Sequence, residues 1–285
     1  MDIVSFRMKD HVLLPAYTTR GQTPKPKAVL MLHGITHDMD VLAAAAEQAA
    51  SRADVYLLIL RGYHDRTSPG ALTYHGQTDD DIESVLHALK QSYDHVTLAG
   101  HSMGAGSVLR YMQEKDGRYL DDAVLAAPFL HPAHPVFAPN DGSDDTYKLS
   151  LKKAAAAAFL TRAGVQAAGR MHIVDIPLRQ DPLQPGSTTY RKKLSYRLML
   201  SRFIEKETDF SRIDFNRTRW ITGAEDEIVT ADRFVSFCHD HGLPDPVIVP
   251  GENHNTLLTS RTFLDILAPA EKQTRREPDA QSGLI

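Results

Sequence analysis

The segment Gly100-His101-Ser102-Met103-Gly104 places a serine between two glycines, directly after the apolar run Val96 to Ala99 and directly before a helix-like stretch from Met103 to Glu114. A turn from strand to helix that sharp forces its central residue into strained backbone angles and leaves no room for side chains two positions either way. Small residues at 100 and 104, and again at Ala105 and Gly106, suit that crowding. The hydroxyl of Ser102 is then held above the sheet at the start of a helix, where the dipole and unpaired N–H groups favour a developing negative charge.

A serine hydroxyl is a weak nucleophile at neutral pH and needs a histidine to take its proton and a carboxylate to fix that histidine's tautomer. Trp220 to Val229 supplies the carboxylate just past a strand, with Asp226 as the candidate and Glu225 and Glu227 read as solvated loop charges. Gly251-Glu252-Asn253-His254-Asn255-Thr256 follows the next strand, Val247 to Val249, and returns His254 to the same sheet edge. The step from Asp226 to His254 holds one helix and one strand, and the chain order Ser, Asp, His is the one this arrangement uses. Two backbone N–H groups must also face the tetrahedral oxygen. Met103 offers one, and Ile35 the other, because Gly34 in His33-Gly34-Ile35-Thr36 lets the backbone approach closely. His131, His134, His239 and His241 read as structural or exposed, and the acidic run Asp79-Asp80-Asp81 as a capped, solvated helix start.

These residues need a scaffold that brings strand ends together. The runs Ala28 to Leu32, Val55 to Leu60, Val96 to Ala99 and Ala123 to Ala126 alternate with helices expected at Val41 to Arg52, Asp79 to Tyr93 and Met103 to Glu114. That alternation builds a mostly parallel, doubly wound α/β sheet, preceded by two antiparallel strands, Ile3 to Met8 and Val12 to Tyr17. After Pro128 the prolines 132, 135 and 139 and the polar run Asn140 to Asp145 break the rhythm. Two helices are expected next, around Tyr147 to Arg170 and Thr188 to Glu207, before the alternation resumes at Thr218. Residues 1–129 and 217–269 thus read as the core, 130–216 as an inserted helical cap over the carboxyl edge of the sheet, and 270–285 as a polar, disordered tail. Within the cap, Leu198 and Phe203 are candidate substrate-binding residues on the second helix, in a stripe with Tyr190, Leu194, Met199 and Ile204.

A net charge of -4 gives no reason to expect a nucleic-acid partner. The lone Cys238 forms no internal disulfide, and no run approaches the roughly 18 apolar residues of a membrane span, so a cytoplasmic protein without an integral membrane segment is expected. The chemistry calls for no metal and no organic cofactor.

The chain resembles the monoacylglycerol lipase and lysophospholipase-like branch of the α/β-hydrolases, also grouped with the serine aminopeptidase S33 domain. The resemblance rests on Leu32-His33-Gly34, Leu60-Arg61-Gly62, Gln77 to Ile82, Gly100 to Gly104, Ala127-Pro128, Asp181-Pro182-Leu183, Gly223 to Asp226 and Asn253-His254. It departs at Tyr63-His64-Asp65-Arg66, where that family commonly has His-Gly-x-Ser. The resemblance implies Ser102 as nucleophile, His254 as base, Asp226 as acid, Ile35 and Met103 as oxyanion donors, a cap that shapes the acyl pocket, and a small acyl ester as substrate. An amidase or aminopeptidase on the same residues, with Asp175 or Asp181 holding the substrate amine, and a catalytically silent binding protein are the alternatives.

Overall fold

The computed structural model describes residues 1–21, 25–36, 39–64, 69–137, 147–184, 186–206 and 208–269. The expected polar tail from 270, the run 140–145 and residues 65 and 66 of the departure after Arg-Gly lie outside these.

Eight strands form the main sheet: β1 (Asp2–Arg7), β2 (Leu13–Thr19), β3 (Lys27–Leu32), β4 (Asp54–Leu58), β5 (His95–His101), β6 (Asp122–Ala126), β10 (Thr218–Gly223) and β11 (Val247–Val249). Their spatial order is β1-β2-β4-β3-β5-β6-β10-β11. The first two strands are antiparallel to each other and β2 is antiparallel to β4, while every pairing from β4 to β11 is parallel. The chain is therefore the doubly wound α/β sheet with an antiparallel leading ribbon that the alternation implies. The central strands are buried along nearly their whole length, as continuous apolar runs covered on both faces must be.

Helices α1 (Met39–Ala49), α2 (Gln77–Lys90), α3 (Met103–Lys115), α6 (Ala231–Asp240) and α7 (Arg261–Leu267) flank this sheet. Helix α2 buries Ile82, Val85, Leu86 and Leu89, the face its sequence marks out. Its acidic start differs from the expectation. Gly76 with φ 89° caps it, no side chain does, and Asp79 and Asp81 are buried rather than solvated. Each acid has a cation instead: Asp79 meets Arg110 at 3.0 Å, Asp80 meets Lys9 and Lys115, and Asp81 meets Arg61 at 2.7 Å. Burial pushes the Asp79 carboxyl up to about 6 against the pull of the Arg110 charge.

Between β6 and β10 the chain builds a second, three-stranded antiparallel sheet from β7 (Lys148–Leu149), β8 (His172–Arg179) and β9 (Thr189–Ser195), with helices α4 (Leu151–Arg162) and α5 (Tyr196–Leu200). The first expected helix is present but shorter. Gly164, at φ 90°, ends it, and the N–H groups of Gly164 and Val165 return to the carbonyls of Thr161 and Leu160.

The second expected helix is mostly strand. Tyr190, Leu194 and Leu198 have helical spacing, but β8 offers an antiparallel partner whose Ile176 and Leu178 pair with Lys192 and Tyr190. Pairing wins over periodicity, and among the described residues only the five of α5 are α-helical there, capped where Ser195 Oγ accepts the Leu198 N–H.

Two glycines set how closely α3 lies on the sheet. A Cβ at Gly100 would fall 2.3 Å from the Gly104 carbonyl carbon, and one at Gly104 would fall 2.2 Å from the Leu32 carbonyl oxygen. Since both obstacles are backbone, Gly104→Ala is expected to destabilise the fold by at least the roughly 1–3 kcal/mol of ordinary overpacking. Chemical denaturation measures this directly; an unchanged midpoint would mean that α3 can lift off β3 without loss.

Candidate active site

Ser102 sits between β5 and α3 with φ 54° and ψ -122°. Its strained backbone is pinned from two sides: its N–H donates to the Ala126 carbonyl at 2.9 Å, and its carbonyl accepts from Phe129 N–H at 3.0 Å. The side chain lies at the first turn of α3, whose leading N–H groups have no intrahelical acceptor.

Asp226 and His254 converge from the two neighbouring strand ends. Gly223 ends β10 against the next loop so tightly that a Cβ there would sit 2.0 Å from the Glu252 carbonyl oxygen. Asp226 is buried, and its carboxylate accepts the N–H groups of Ile228 at 2.9 Å and Val229 at 2.7 Å and the Thr222 hydroxyl at 3.2 Å. His254 Nδ1 lies 3.0 and 3.1 Å from the two carboxylate oxygens. Burial works to raise the Asp226 pKa; the His254 contact and the two backbone N–H groups outweigh it and hold the carboxyl below its ordinary range. An ionised Asp226 fixes the proton on Nδ1 and leaves Nε2 as the basic nitrogen. The His254 side-chain hydrogen bonds run from Nδ1 to Asp226, and none joins Nε2 to Ser102 Oγ.

The loop after β3 brings Ile35 to the same edge. His33 is fully buried; its Nε2 accepts the Leu60 N–H at 3.3 Å, so Nδ1 carries the proton and donates to the Gly34 carbonyl at 2.7 Å. That carbonyl belongs to the peptide whose N–H is that of Ile35.

Leu198 and Phe203, the two candidate pocket residues, are both buried. Leu198 packs under Gly62, where an added Cβ would come within 2.5 Å of its Cδ1. The Phe203 ring lies 5.5 Å from that of Phe129, the residue whose N–H holds the Ser102 carbonyl.

Three residues take parts that their sequence positions do not announce. Glu227 is exposed but accepts the His254 N–H at 3.2 Å, so it is more than a solvated charge. Thr222 supports the carboxylate from within β10. His101 is buried behind His254, with ring centres 4.7 Å apart and Nε2 2.9 Å from the His254 carbonyl oxygen. Only the strand position of Thr222 was available as a signal.

The chain belongs to the alpha/beta hydrolase family, whose model matches residues 29–265. Among curated proteins none matches its sequence. Among solved structures it is similar to a soluble variant of monoglyceride lipase from Saccharomyces cerevisiae, with 15% identity, TM-score 0.61 and coverage of 93% of this chain and 95% of the lipase. An esterase from Exiguobacterium antarcticum gives 18% identity, TM-score 0.56 and coverage of 92% and 97%. A monoacylglycerol lipase from Paleococcus ferrophilus gives 18%, 0.52, and 85% and 90%. No helix among the described residues is long and apolar enough to cross a membrane.

The environment of His101 has a measurable consequence. Burial, with the neighbouring His254 adding to it, pushes the imidazole down from 6.5 to about 3. The folded protein keeps this ring neutral while the unfolded chain takes up a proton below its ordinary pKa, so stability falls as pH drops from about 6.5 and levels off below about 3. His101→Gln is expected to remove that slope, which is worth up to about 1.4 kcal/mol per pH unit. Urea titrations of both proteins between those limits measure it, and parallel curves would contradict the assignment.

Proposed function

We propose that the protein hydrolyses carboxylic esters through an acyl-enzyme on Ser102. The observation that carries this reading is the strained serine at the strand-to-helix turn, beside a histidine held by a buried carboxylate. In the first half-reaction Ser102 Oγ attacks the ester carbonyl carbon and its proton passes to His254 Nε2. The carbon–oxygen bond of the tetrahedral intermediate then breaks, and the same proton leaves with the alcohol. Water repeats the sequence on the acyl-enzyme and releases the acid. Asp226 stays ionised and orients the imidazole, while the N–H groups of Ile35 and Met103 bind the oxyanion.

Monoacylglycerols, lysophospholipids or other short and medium acyl esters are the proposed substrates, with residues 130–216 acting as the cap that selects the acyl group. The lipase and esterase neighbours make this class the natural one to test first. The amidase alternative gains no support from its two candidate carboxylates. Asp175 is engaged by Arg191 at 2.7 Å on the second sheet, and Asp181 faces Tyr17.

Ser102→Ala is expected to abolish p-nitrophenyl ester turnover and fluorophosphonate labelling without lowering the melting temperature, since the turn tolerates a smaller side chain. Retention of most of the rate would remove Ser102 from the mechanism. Asp226→Asn should cost on the order of 10⁴ in turnover. Absence of fluorophosphonate labelling in the unaltered protein would favour the silent binding protein instead.

The burial of Leu198 and Phe203 separates their expected effects. Leu198→Ala, beneath Gly62, should lower the melting temperature by the equivalent of about 2–5 kcal/mol. Phe203→Ala, one ring from the residue that holds Ser102, should shift the preferred acyl length and leave p-nitrophenyl acetate hydrolysis nearly unchanged. Chain-length profiles run beside thermal melts test both, and an unshifted profile with lower melting for Phe203→Ala would place it in packing alone.

A further inference from the structure

Arg202 is 1% exposed, and among the described residues no carboxylate pairs with it. A buried guanidinium without a counter-charge is expensive, and such groups are retained where their hydrogen bonds hold something in place. Each nitrogen of Arg202 has a neutral acceptor: Nε donates to Ser107 Oγ at 2.8 Å, Nη1 to Tyr63 Oη at 3.4 Å, and Nη2 to the His33 carbonyl by a short contact. The backbone comes equally close, because a Cβ on Gly106 of α3 would lie 2.8 Å from the Arg202 carbonyl oxygen.

These acceptors lead to both proposed oxyanion donors. Ser107, having accepted from Arg202, donates its own hydroxyl proton to the Met103 carbonyl at 3.2 Å. The His33 carbonyl lies one peptide before Gly34, whose carbonyl is held by the His33 ring and whose peptide carries the Ile35 N–H. One guanidinium therefore ties the helix that carries Met103 to the loop that carries Ile35. It also places an unpaired positive charge behind them, where a low dielectric strengthens its effect on a developing anion.

We propose that Arg202 is a positioning residue that sets the spacing and polarity of the oxyanion hole from behind. This rests on the ester-hydrolase reading. The fork geometry is essential, since a lysine supplies charge but cannot reach all three acceptors.

The test measures kcat and KM for p-nitrophenyl acetate, the fluorophosphonate labelling rate and active fraction, and the melting temperature, for the unaltered protein, Arg202→Lys and Arg202→Met. It adds the inhibition constant of a trifluoromethyl ketone, whose adduct with Ser102 carries the oxyanion. The proposal expects kcat to fall at least about 100-fold in Arg202→Met, comparable to losing one oxyanion donor. KM should stay within about threefold, and trifluoromethyl ketone affinity should fall in step with kcat/KM. Arg202→Lys should fall between the two. If Arg202→Met does not fold, Ser107→Ala, which cuts the path to Met103 alone, is expected to lower kcat and ketone affinity together while its labelled fraction stays full. Folded variants that label and turn over at the unaltered rate per active site overturn the proposal while leaving the esterase reading intact. So does a lower active fraction with unchanged kcat per site, which is a structural role only. An unaltered protein that neither labels nor turns over esters removes both.

Discussion

The close approach of α3 to β3 is the constraint on which the rest of the molecule depends. With backbone at Gly100 and Gly104 separated by less than a side chain, Ser102 cannot relax into ordinary helix or strand angles and stays at φ 54°. Strain of this kind costs on the order of 1–3 kcal/mol and persists only when the surroundings over-determine it. Here the surroundings are strand ends: Ala126 and Phe129 take the two hydrogen-bonding groups of Ser102, and β10 and β11 carry Asp226 and His254 to the same edge. A sheet whose parallel strands share one direction delivers every functional loop to one side.

Much of this could be read from residues alone because the signals were local. A glycine-flanked serine between an apolar run and a helix, a carboxylate just past one strand and a histidine just past the next each specify their own position. The parallel core was legible for the same reason, as continuous apolar runs alternating with helices. What escaped was decided by partners distant in sequence. Tyr190, Leu194 and Leu198 carry a helical spacing, yet β8 turns most of that stretch into a strand. Asp79 and Asp81 look like a solvated helix start until Arg110 and Arg61 arrive from elsewhere in the chain. Lys192, Arg197 and Arg202 are all buried in this segment, and nothing in the neighbours of Arg202 marks it as the most deeply buried of the three.

The same distinction applies to charge. On the surface, pairs such as Arg52 with Asp265 exchange little energy with the fold. Inside, the buried ionisable groups are sorted by role: His101 is kept neutral, Asp226 is kept ionised, and Arg202 is kept against neutral oxygens. On the proposed ester-hydrolase reading, the Ile35 and Met103 N–H groups lie on one side of Ser102 and the carboxylate-backed His254 on the other. That polarity matches a reaction in which negative charge appears on an oxygen and positive charge on an imidazole.

Arg202 lies at the far end of the segment that carries the second sheet, yet its side chain reaches the loops of the main one. In modular terms, the inserted segment and the core are not separable parts with a clean seam. The stretch from β7 through β9 could be exchanged for that of a relative, since its β8 and β9 pair with each other. A graft whose downstream junction fell before position 202 would keep this anchor, whereas one that ran past it would bring a foreign residue against His33 and Ser107. The contacts that belong to the core therefore begin inside this segment, well before β10 starts at Thr218.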